Sequence, residues 1–424
     1  MTHFGILCPN TTGHLNPMTA MGHELQIRGH HVTLFGVLDS QSKAVASGLG
    51  FCAIGEDEYP FGAVPQLLKR LGELKGLSAL QYAVDKSRKG ASINLRDVPG
   101  AIRQVGVEAL LVDQYTLEGG TVAEVLKIPF VTVCNGLTLN QEEGVPPPVT
   151  SWNYSSDWWT HLRNRLGYAG MSYLAKPVRE VVSEYRRHQK LLPYSSDDDF
   201  FSKLAIVSQQ PSEFEFPRQL LPQCFHFTGP YFNSKSREPV AFPFERLTEQ
   251  PLIYASLGTI QNGLMWIFHH IAEACAGMDA QLVISLGGSS SFELSQLLPG
   301  SPIVVKYAPQ LELLQRATLT ITHAGLNTVL ESLSNGVPMV AIPITYDQPG
   351  VAARIAWTGS GEVVPLSKLS IPKLRSAIKR LLTEDSYRQN AFRLQEAIRR
   401  SGGVSRAADI VEQVVSTGKP VLSS

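Results

Sequence analysis

The chain has 424 residues, and its 37 basic side chains (Lys and Arg) balance 37 acidic ones (Asp and Glu), so the formal net charge is zero. This balance excludes a global positive field of the kind that favours nucleic acid. The length exceeds what one hydrophobic core usually organises and predicts two domains. The best apolar run, Val337–Ile344, is short and broken by two prolines, which argues against a membrane span.

Cysteine usage and the N-terminal residues bear on the compartment. Five cysteines are scattered without any C-x-x-C pattern, which predicts buried thiols in a reducing compartment and neither a disulfide frame nor a zinc site. The strand-like segment Phe4–Cys8 follows the first residues at once, without the basic and apolar regions of a signal peptide. We therefore expect a cytoplasmic protein that needs no metal.

Short β-branched runs alternate with helical stretches along the whole chain, which predicts an α/β fold with two parallel, doubly wound units. A polar segment after Gly229-Pro230 has the composition of a linker. The predicted divisions are a first domain at 1–230, a linker at 231–240, a second domain at 241–403, and a C-terminal helix and tail at 404–424. The predicted strands are Phe4–Cys8, Val32–Val37, Leu110–Asp113, Phe130–Cys134, Ala205–Ser208, Leu252–Leu257, Leu282–Leu286, Ile303–Lys306, Leu319–Thr322 and Met339–Ile342.

Two polar residues follow strands of the first unit. His14 comes after Phe4–Cys8, and Asp113 ends the apolar run Ala109–Val112. Ligands of open α/β sheets bind outside the carboxyl ends of the strands, so both residues lie where a substrate would bind. An imidazole acts as a base near neutral pH, and an aspartate on its other nitrogen fixes the tautomer and supports the imidazolium. Two structural alternatives remain open: each residue could instead cap the helix that follows it.

The segment Gly144–Tyr173 is rich in aromatic residues, and residues 161–190 hold seven Lys or Arg against two acids. A basic, aromatic segment can dock on an anionic bilayer. The alternative is an aromatic cluster that packs in the core beside a solvated helix, and the sequence leaves both open.

The segment from residue 307 to 348 indicates a nucleotide-diphosphate pocket. The predicted strand Leu319–Thr322 leads through His323-Ala324-Gly325 into a helical pattern over Leu326–Asn335, with Asn327 and Thr328 at the expected N-cap and Gly336 after the end. A strand-to-helix turn with a glycine presents backbone N–H groups and the positive helix end to a phosphate. Glu331, about one turn further, is an acceptor for two ribose hydroxyls.

Three segments in this order, Y-A-P-Q at 307–310, H-A-G-L-N-T-V-L-E at 323–331 and D-Q at 347–348, resemble the signature of the UDP-sugar-dependent glycosyltransferases with the GT-B fold (family 1, with plant, bacterial macrolide and zeaxanthin members). Plant members have Trp where Tyr307 and Leu326 stand, so this chain looks like the bacterial members. The resemblance implies two Rossmann-like domains that face a cleft, and a C-terminal helix that crosses back to the first domain.

The resemblance also implies roles. Tyr307 stacks on uracil and the Ala308 backbone reads the base edge; His323, Asn327 and Thr328 hold the pyrophosphate; Glu331 binds the ribose; Asp347 and Gln348 bind the sugar. The S-L-G-T turn at 256–259 matches a second donor loop. The residues predicted to bind the donor are Gly13, Ser256, Gly258, Thr259, Tyr307, Ala308, Gln310, His323, Gly325, Asn327, Thr328, Glu331, Asp347 and Gln348.

On the acceptor side the resemblance assigns the variable part of the first domain, and its aromatic density suits a large, flat, lipophilic alcohol. The predicted acceptor residues are Trp152, Tyr154, Trp158, Trp159, Tyr168 and Tyr173.

The predicted function is therefore inverting, metal-independent transfer of glucose from UDP-glucose by a monomer without a cofactor, with His14 as the base and Asp113 as its orienting partner. Two other hypotheses are a UDP-sugar epimerase or hydrolase on the same scaffold, and a non-catalytic sugar-nucleotide binding protein. The aromatic segment speaks against the former and the histidine against the latter.

Overall fold

The computed structural model of the chain describes residues 1–74, 76–232, 239–259, 264–288 and 298–423. Most of the predicted linker at 231–240 lies outside these residues. Across the described residues, none of the helices combines the length and apolar character needed to cross a bilayer. All five cysteines carry free thiols, and four of them are buried.

The first parallel sheet is built from apolar runs, of which Ala109–Asp113 is buried at every position because helices cover both faces. Its strands are β1 (His3–Leu7), β2 (His31–Gly36), β3 (Gly50–Ala53), β4 (Ala109–Asp113), β5 (Phe130–Cys134), β6 (Ile206–Ser208) and β7 (Phe225–Phe227). Their order among the described residues is β3-β2-β1-β4-β5-β6-β7.

The second sheet is also parallel in every pairing. Its strands are β8 (Leu252–Ser256), β9 (Gln281–Ser285), β10 (Ile303–Val305), β11 (Ala317–Thr322), β12 (Met339–Ala341) and β13 (Gly361–Val363). The order within the described part is β10-β9-β8-β11-β12-β13. In both sheets the chain reverses direction across the sheet next to the first strand, between β1 and β4 and between β8 and β11. These are the switch points where such folds bind ligands.

The helices cover the faces of both sheets. They are α1 (Thr12–Ile27), α2 (Gln41–Ala46), α3 (Ala63–Glu73), α4 (Gly76–Val105), α5 (Gly119–Leu126), α6 (Trp158–His188), α7 (Met265–Cys275), α8 (Gln310–Leu314), α9 (Leu326–Ser334), α10 (Gln348–Thr358), α11 (Ile371–Thr383), α12 (Asp385–Ser401) and α13 (Gly403–Thr417).

The predicted α/β architecture with two parallel sheets is confirmed, and the ten predicted strands agree with the structure to within two residues at each end. The strands β3, β7 and β13 are additional. Each lies at a sheet edge and has only three or four residues, so its apolar pattern is too short to distinguish from a loop. The predicted N-cap at Asn327 and Thr328 is wrong: the cap is Gly325, and both residues lie in the first turn of α9.

The last helix returns to the first sheet, as the resemblance implied. Ile410 and Val414 of α13 lie in the same buried cluster as Phe4 of β1. Arg28 at the end of α1 donates to Asp409, with the two atoms 2.7 Å apart. The C-terminal helix therefore packs against the start of the chain. We call the part of the molecule around the first sheet the first half and the part around the second sheet the second half; α13 braces the first half.

A buried ion pair joins the two halves. Arg354 of α10 is fully buried and donates through Nε to Oε1 of Glu215, which follows β6, at 2.8 Å. Its guanidinium lies 4.4 Å from the ring centre of Phe216. Burial disfavours the charged form and lowers the pKa of Arg354, although the carboxylate opposes the effect. Separating the two halves would leave a buried charge without its partner, which is energetically costly. The ion pair therefore stabilises this arrangement of the two halves.

Candidate active site

The predicted base and its partner are in direct contact at the carboxyl ends of β1 and β4. Nδ1 of His14 lies 2.7 Å from Oδ2 of Asp113, and the aspartate side chain is completely buried. The same Oδ2 accepts a hydrogen bond from Nδ2 of Asn135 at 2.6 Å, and Oδ1 accepts one from the backbone N–H of Tyr115 at 2.8 Å. A carboxylate in this setting accepts, so the His14 proton lies on Nδ1 and Nε2 carries the free lone pair.

The surroundings favour protonation of His14. Burial of the ring lowers its pKa, but the charge of Asp113, the hydrogen bond between them and the charge of Asp347 outweigh burial, so the pKa of His14 lies above its ordinary value. The side chain is about one-fifth exposed (22%), which leaves it reachable by a substrate. This combination suits a group that takes up a proton during a reaction.

The two capping alternatives find no support in this geometry. His14 lies inside the first turn of α1, and the N-cap is Thr11. Asp113 accepts the N–H of Tyr115 within its own turn, whereas α5 begins later, with Glu118 as its N-cap. Neither side chain therefore serves as a helix cap.

A second histidine lies at the carboxyl end of β11. Burial lowers the pKa of His323 to about 4, so its imidazole is neutral over the working pH range. Gly258 and Gly325 lie against this ring: a Cβ at either position would come within 2.7 Å and 2.6 Å of Nε2, respectively. The two glycines therefore let two backbone turns approach the imidazole, and Nδ1 is buried without a partner among the described residues. The loop leads into the N-terminus of α9, and a turn of this kind binds anions in other proteins.

Gln310 forms hydrogen bonds with two residues at the predicted ribose-binding end of the donor site. Nε2 of Gln310 donates to Oε2 of Glu331 at 2.6 Å, and its Oε1 accepts the hydroxyl of Tyr254 at 3.0 Å. Glu331 is almost fully buried. Nearby, the half-exposed ring of Tyr307 lies over Gly288, where no Cβ could fit. Gln310 thus links Glu331 to the segment that begins with Tyr307.

The two halves meet at the predicted donor loop. Nδ2 of Asn327, in the first turn of α9, donates to the backbone O of Gly13 at 2.8 Å. Oδ2 of Asp347 lies 3.4 Å from the N–H of Leu137, in the loop after β5. Burial raises the pKa of Asp347, while this N–H and His14 counteract the shift. The structure thus brings the predicted base loop, diphosphate loop and sugar-binding residue together.

Gln348 is held by its own loop. Its Oε1 accepts the backbone N–H groups of Ile344 and Thr345 at 2.8 and 2.9 Å. This fixes the carboxamide, so its NH₂ group is the part that remains for a ligand. The preceding Tyr346 has a φ of 56°, a left-handed conformation that is uncommon for a bulky residue and often occurs at functional sites.

The six predicted acceptor residues do not form a single cluster. Tyr154 packs on Phe216 and Trp357 between the two halves. The guanidinium of Arg163 lies over the rings of both Trp152 and Trp159. The remaining three, on α6, are the buried Tyr168 and the exposed Trp158 and Tyr173.

The basic stretch at 161–190 does not act as one surface. Arg186 is buried, donates to Glu124 at 2.7 Å and lies over the ring of Tyr194. Arg179 pairs with Asp197 at 2.5 Å. These ion pairs fix α6 to the first half. They also neutralise part of the charge, so the stretch carries less unpaired positive charge than its number of Lys and Arg residues predicts.

Three residues of the site were not among the predicted ones. Asn135 and Gln209 directly follow β5 and β6, and Tyr115 packs edge-on against His14 with ring centres 5.2 Å apart. A signal existed for the first two, because polar residues at the ends of predicted parallel strands reach the ligand-binding edge. Among the described residues, no group of three or more His, Cys, Asp or Glu is arranged to hold a metal ion.

Comparison with known proteins identifies the family. The model for UDP-glucoronosyl and UDP-glucosyl transferases matches residues 93–401. A zeaxanthin glucosyltransferase from Pantoea ananas is 33% identical over 425 residues, covering 100% of this chain and 98% of the relative. Another from Pseudescherichia vulneris is 30% identical, covering 99% and 100%. The chain belongs to the UDP-glycosyltransferase family, and it is a glycosyltransferase enzyme.

Solved structures agree on the fold. The crystal structure of the calicheamicin glycosyltransferase superposes with a TM-score of 0.77 at 22% identity, covering 99% of this chain and 100% of that one. The predicted GT-B architecture is thereby confirmed. Membership of the family supports a UDP-sugar donor and a small-molecule acceptor.

Proposed function

We propose that this enzyme transfers glucose from UDP-glucose, with inversion, to a hydroxyl group of a lipophilic small molecule. The observation that carries the proposal is the hydrogen bond of Asn327 to Gly13. It places the loop that resembles the diphosphate-binding loop of the family directly beside the residue that precedes His14. A base and a leaving-group site at one junction are what a displacement at a sugar carbon requires.

In the proposed step, Nε2 of His14 takes the proton of the acceptor hydroxyl as its oxygen forms a bond to the anomeric carbon. The bond from that carbon to the diphosphate breaks, and its electron pair leaves with the diphosphate oxygen. Asp113 stabilises the imidazolium that results. Because attack and departure occur on opposite faces of the carbon, the α-linked glucose of the donor becomes a β-glucoside.

Charge on the departing diphosphate needs donors that are already in place. The N-terminus of α9, the neutral imidazole of His323 and the turn at Ser256–Thr259 supply them in this proposal. A neutral imidazole offers one N–H without the electrostatic cost of a buried cation. No metal is required, and the protein needs no cofactor beyond its two substrates.

We propose a carotenoid-, sterol- or macrolide-like alcohol as the acceptor, because the two zeaxanthin glucosyltransferases match this chain over nearly its full length. The test is turnover of UDP-glucose with zeaxanthin, a sterol, a macrolide and a flavonoid, with NMR of the product to assign the anomer. We expect a β-glucoside of a lipophilic alcohol. An α-linked product would overturn inversion.

The same assay separates the other two hypotheses. Glucose released without any acceptor, or a changed sugar in the recovered nucleotide, would favour a hydrolase or an epimerase. UDP-glucose binding without turnover of any acceptor would favour a binding protein.

We also propose peripheral contact with anionic membrane, on a narrower surface than the sequence indicated. Trp158, Leu162, Leu166 and Tyr173 are exposed at a spacing that puts them on one face of α6, which we call the α6 face. Arg165 lies on the same side and is 73% exposed, with its Nε 3.9 Å from Oε1 of the exposed Glu143. Apolar side chains beside a cation suit the interface of an anionic bilayer, where lipophilic acceptors reside.

The test compares Trp158→Ser/Leu166→Ser with Leu220→Ser, an exposed leucine of a different loop. We expect wild type and Leu220→Ser to co-sediment with phosphatidylglycerol vesicles at low salt and the double variant to stay in solution. If all three proteins co-sediment equally, the α6 face is not a docking surface.

We further propose that the protein is a cytoplasmic monomer. Light scattering coupled to size-exclusion chromatography measures its mass and tests whether it is a monomer.

A further inference from the structure

A buried glutamine connects the two halves of the site. Gln209 directly follows β6 and is 2% exposed. Its Nε2 donates two hydrogen bonds, to the side-chain Oδ1 of Asn327 at 2.8 Å and to the backbone O of Asn135 at 2.6 Å. One side-chain nitrogen of the first half therefore holds a residue of the donor loop in the second half.

The bond to Asn327 fixes which way that amide faces. A carboxamide has one acceptor end and one donor end, and Gln209 occupies the acceptor end. The NH₂ group of Asn327 must then face Gly13 and the junction between the halves, where it donates to the Gly13 carbonyl. A diphosphate only accepts hydrogen bonds, so it requires this orientation and not the flipped one.

The bond to Asn135 extends the connection to the base. The side-chain Nδ2 of Asn135 donates to the same Asp113 oxygen that His14 contacts, at 2.6 and 2.7 Å. His14 is adjacent in the chain to Gly13. The hydrogen bonds therefore close a ring that runs through Gln209, Asn327, Gly13, His14, Asp113 and Asn135.

We propose that Gln209 is a positioning residue that aligns the donor-binding Asn327 with the His14–Asp113 pair across the junction. It acts through Asn327 on the leaving group and through the Asn135 backbone on the base. This inference rests on the proposed function, because it assigns Asn327 to the diphosphate and His14 to the acceptor proton.

The neighbouring Gln210 provides a matched control. It is equally buried, but both polar atoms of its side chain lack a hydrogen-bond partner among the described residues. Methionine has nearly the shape of glutamine without its donor, so Gln209→Met and Gln210→Met make the same change at adjacent positions. Only the first removes a bond of the ring.

We expect Gln209→Met to weaken UDP binding about five- to tenfold in calorimetry, the scale of one lost hydrogen bond, and to lower kcat as well. Gln210→Met should stay within about twofold of wild type for both quantities. Asn135→Ala removes the bond to Asp113 but keeps the backbone carbonyl that Gln209 uses, so it should lower kcat and spare UDP affinity.

A double variant separates positioning from loss of packing. In an Asn327→Ala background Gln209 has lost its partner on the donor loop and keeps only the Asn135 carbonyl, so Gln209→Met should cost no further UDP affinity. Additive losses, or equal effects of the two methionine variants, would overturn the proposal. If wild type binds no UDP at all, the proposed function fails; if wild type binds UDP and Gln209→Met matches it, this inference alone fails.

Discussion

The two histidines at the junction of the sheets have opposite surroundings. His14, on the first sheet, contacts a buried carboxylate that raises its pKa. His323, on the second, lies between two glycines without a charged partner in the described structure, and burial lowers its pKa to about 4. Both lie near the carboxyl end of a parallel strand, yet the surroundings of His14 favour the protonated imidazole and those of His323 favour the neutral one.

The difference shows that a position at a strand end gives a side chain access to ligand, whereas its neighbours decide its chemistry. Access comes from the topology that both sheets share. The pKa of His14 is raised because the carboxylates of Asp113 and Asp347 face it, whereas the ring of His323 lies between two glycines and burial lowers its pKa.

The largest effect is expected for the base. His14→Ala should lower turnover by about a hundred- to ten-thousandfold, the usual cost of losing a general base. UDP affinity should change little, because the nucleotide residues lie in the other half. Turnover with UDP-glucose and calorimetry with UDP measure the two. His161→Ala, an exposed histidine on α6, is the control; wild-type turnover in His14→Ala would mean that His14 is not the base.

Removing only the charge should cost less and move the pH profile. Asp113→Asn should slow transfer by roughly a hundredfold, at the low end of general-base effects, because the amide cannot stabilise the imidazolium. Loss of the negative charge lowers the pKa of His14, so the acid limb of kcat/KM, where the base becomes protonated, should shift to lower pH. An unmoved acid limb would contradict the pairing.

The donor half should respond in affinity. Glu331→Ala should weaken UDP by about 1–3 kcal/mol if charge-assisted hydrogen bonds to the ribose are lost. Asp347→Ala and Gln348→Ala should spare UDP and impair use of intact UDP-glucose. Calorimetry with both ligands tests this division, and an equal loss of UDP affinity in all three variants would end it.

The difference between the pKa values of the two histidines can be measured directly. In NMR titrations of the donor-free protein, the His14 ring should titrate above 6.5 and that of His323 far below it, near 4. The Asp347→Asn variant should lower the His14 value, since that carboxylate contributes to the shift, and leave His323 unchanged. Similar titration of both rings would show that their surroundings are not as different as the structure indicates.

The smallest effect is expected for metal removal. Turnover should be the same after treatment with EDTA, because the proposed donors for the diphosphate are protein groups. Restoration of lost activity by a divalent cation would contradict the metal-free mechanism.

Much of this molecule could be predicted from local patterns. Apolar runs of four to six residues located the central strands, since these are buried on both faces. The proposed donor loop was recognisable because its signature is contiguous: a strand end, a glycine turn and a helix start. His14 and Asp113 were predicted as a pair from their common place at strand ends, and the structure puts them in contact.

The aromatic segment shows where local patterns fail. The sequence placed six aromatic residues in one region, but they lie in different surroundings: Tyr154 packs between the two halves, Tyr168 of α6 is buried, and Trp158 and Tyr173 are exposed on one face of α6. The number of Lys and Arg residues in the basic stretch overestimated its exposed charge, because Arg186 is buried against the first half. Helical spacing alone does not say which face another helix covers.

Short contiguous segments were enough to predict the two α/β units, the family and the residue types at each strand end. Which of those residues come into contact depends on how the distant segments pack together. The ring joins residues up to 314 positions apart, from Gly13 to Asn327, and the protonation of His14 depends on Asp113 and Asp347 from separate halves. Hydrogen bonds and charges act over a few ångströms in space, and the fold sets those distances.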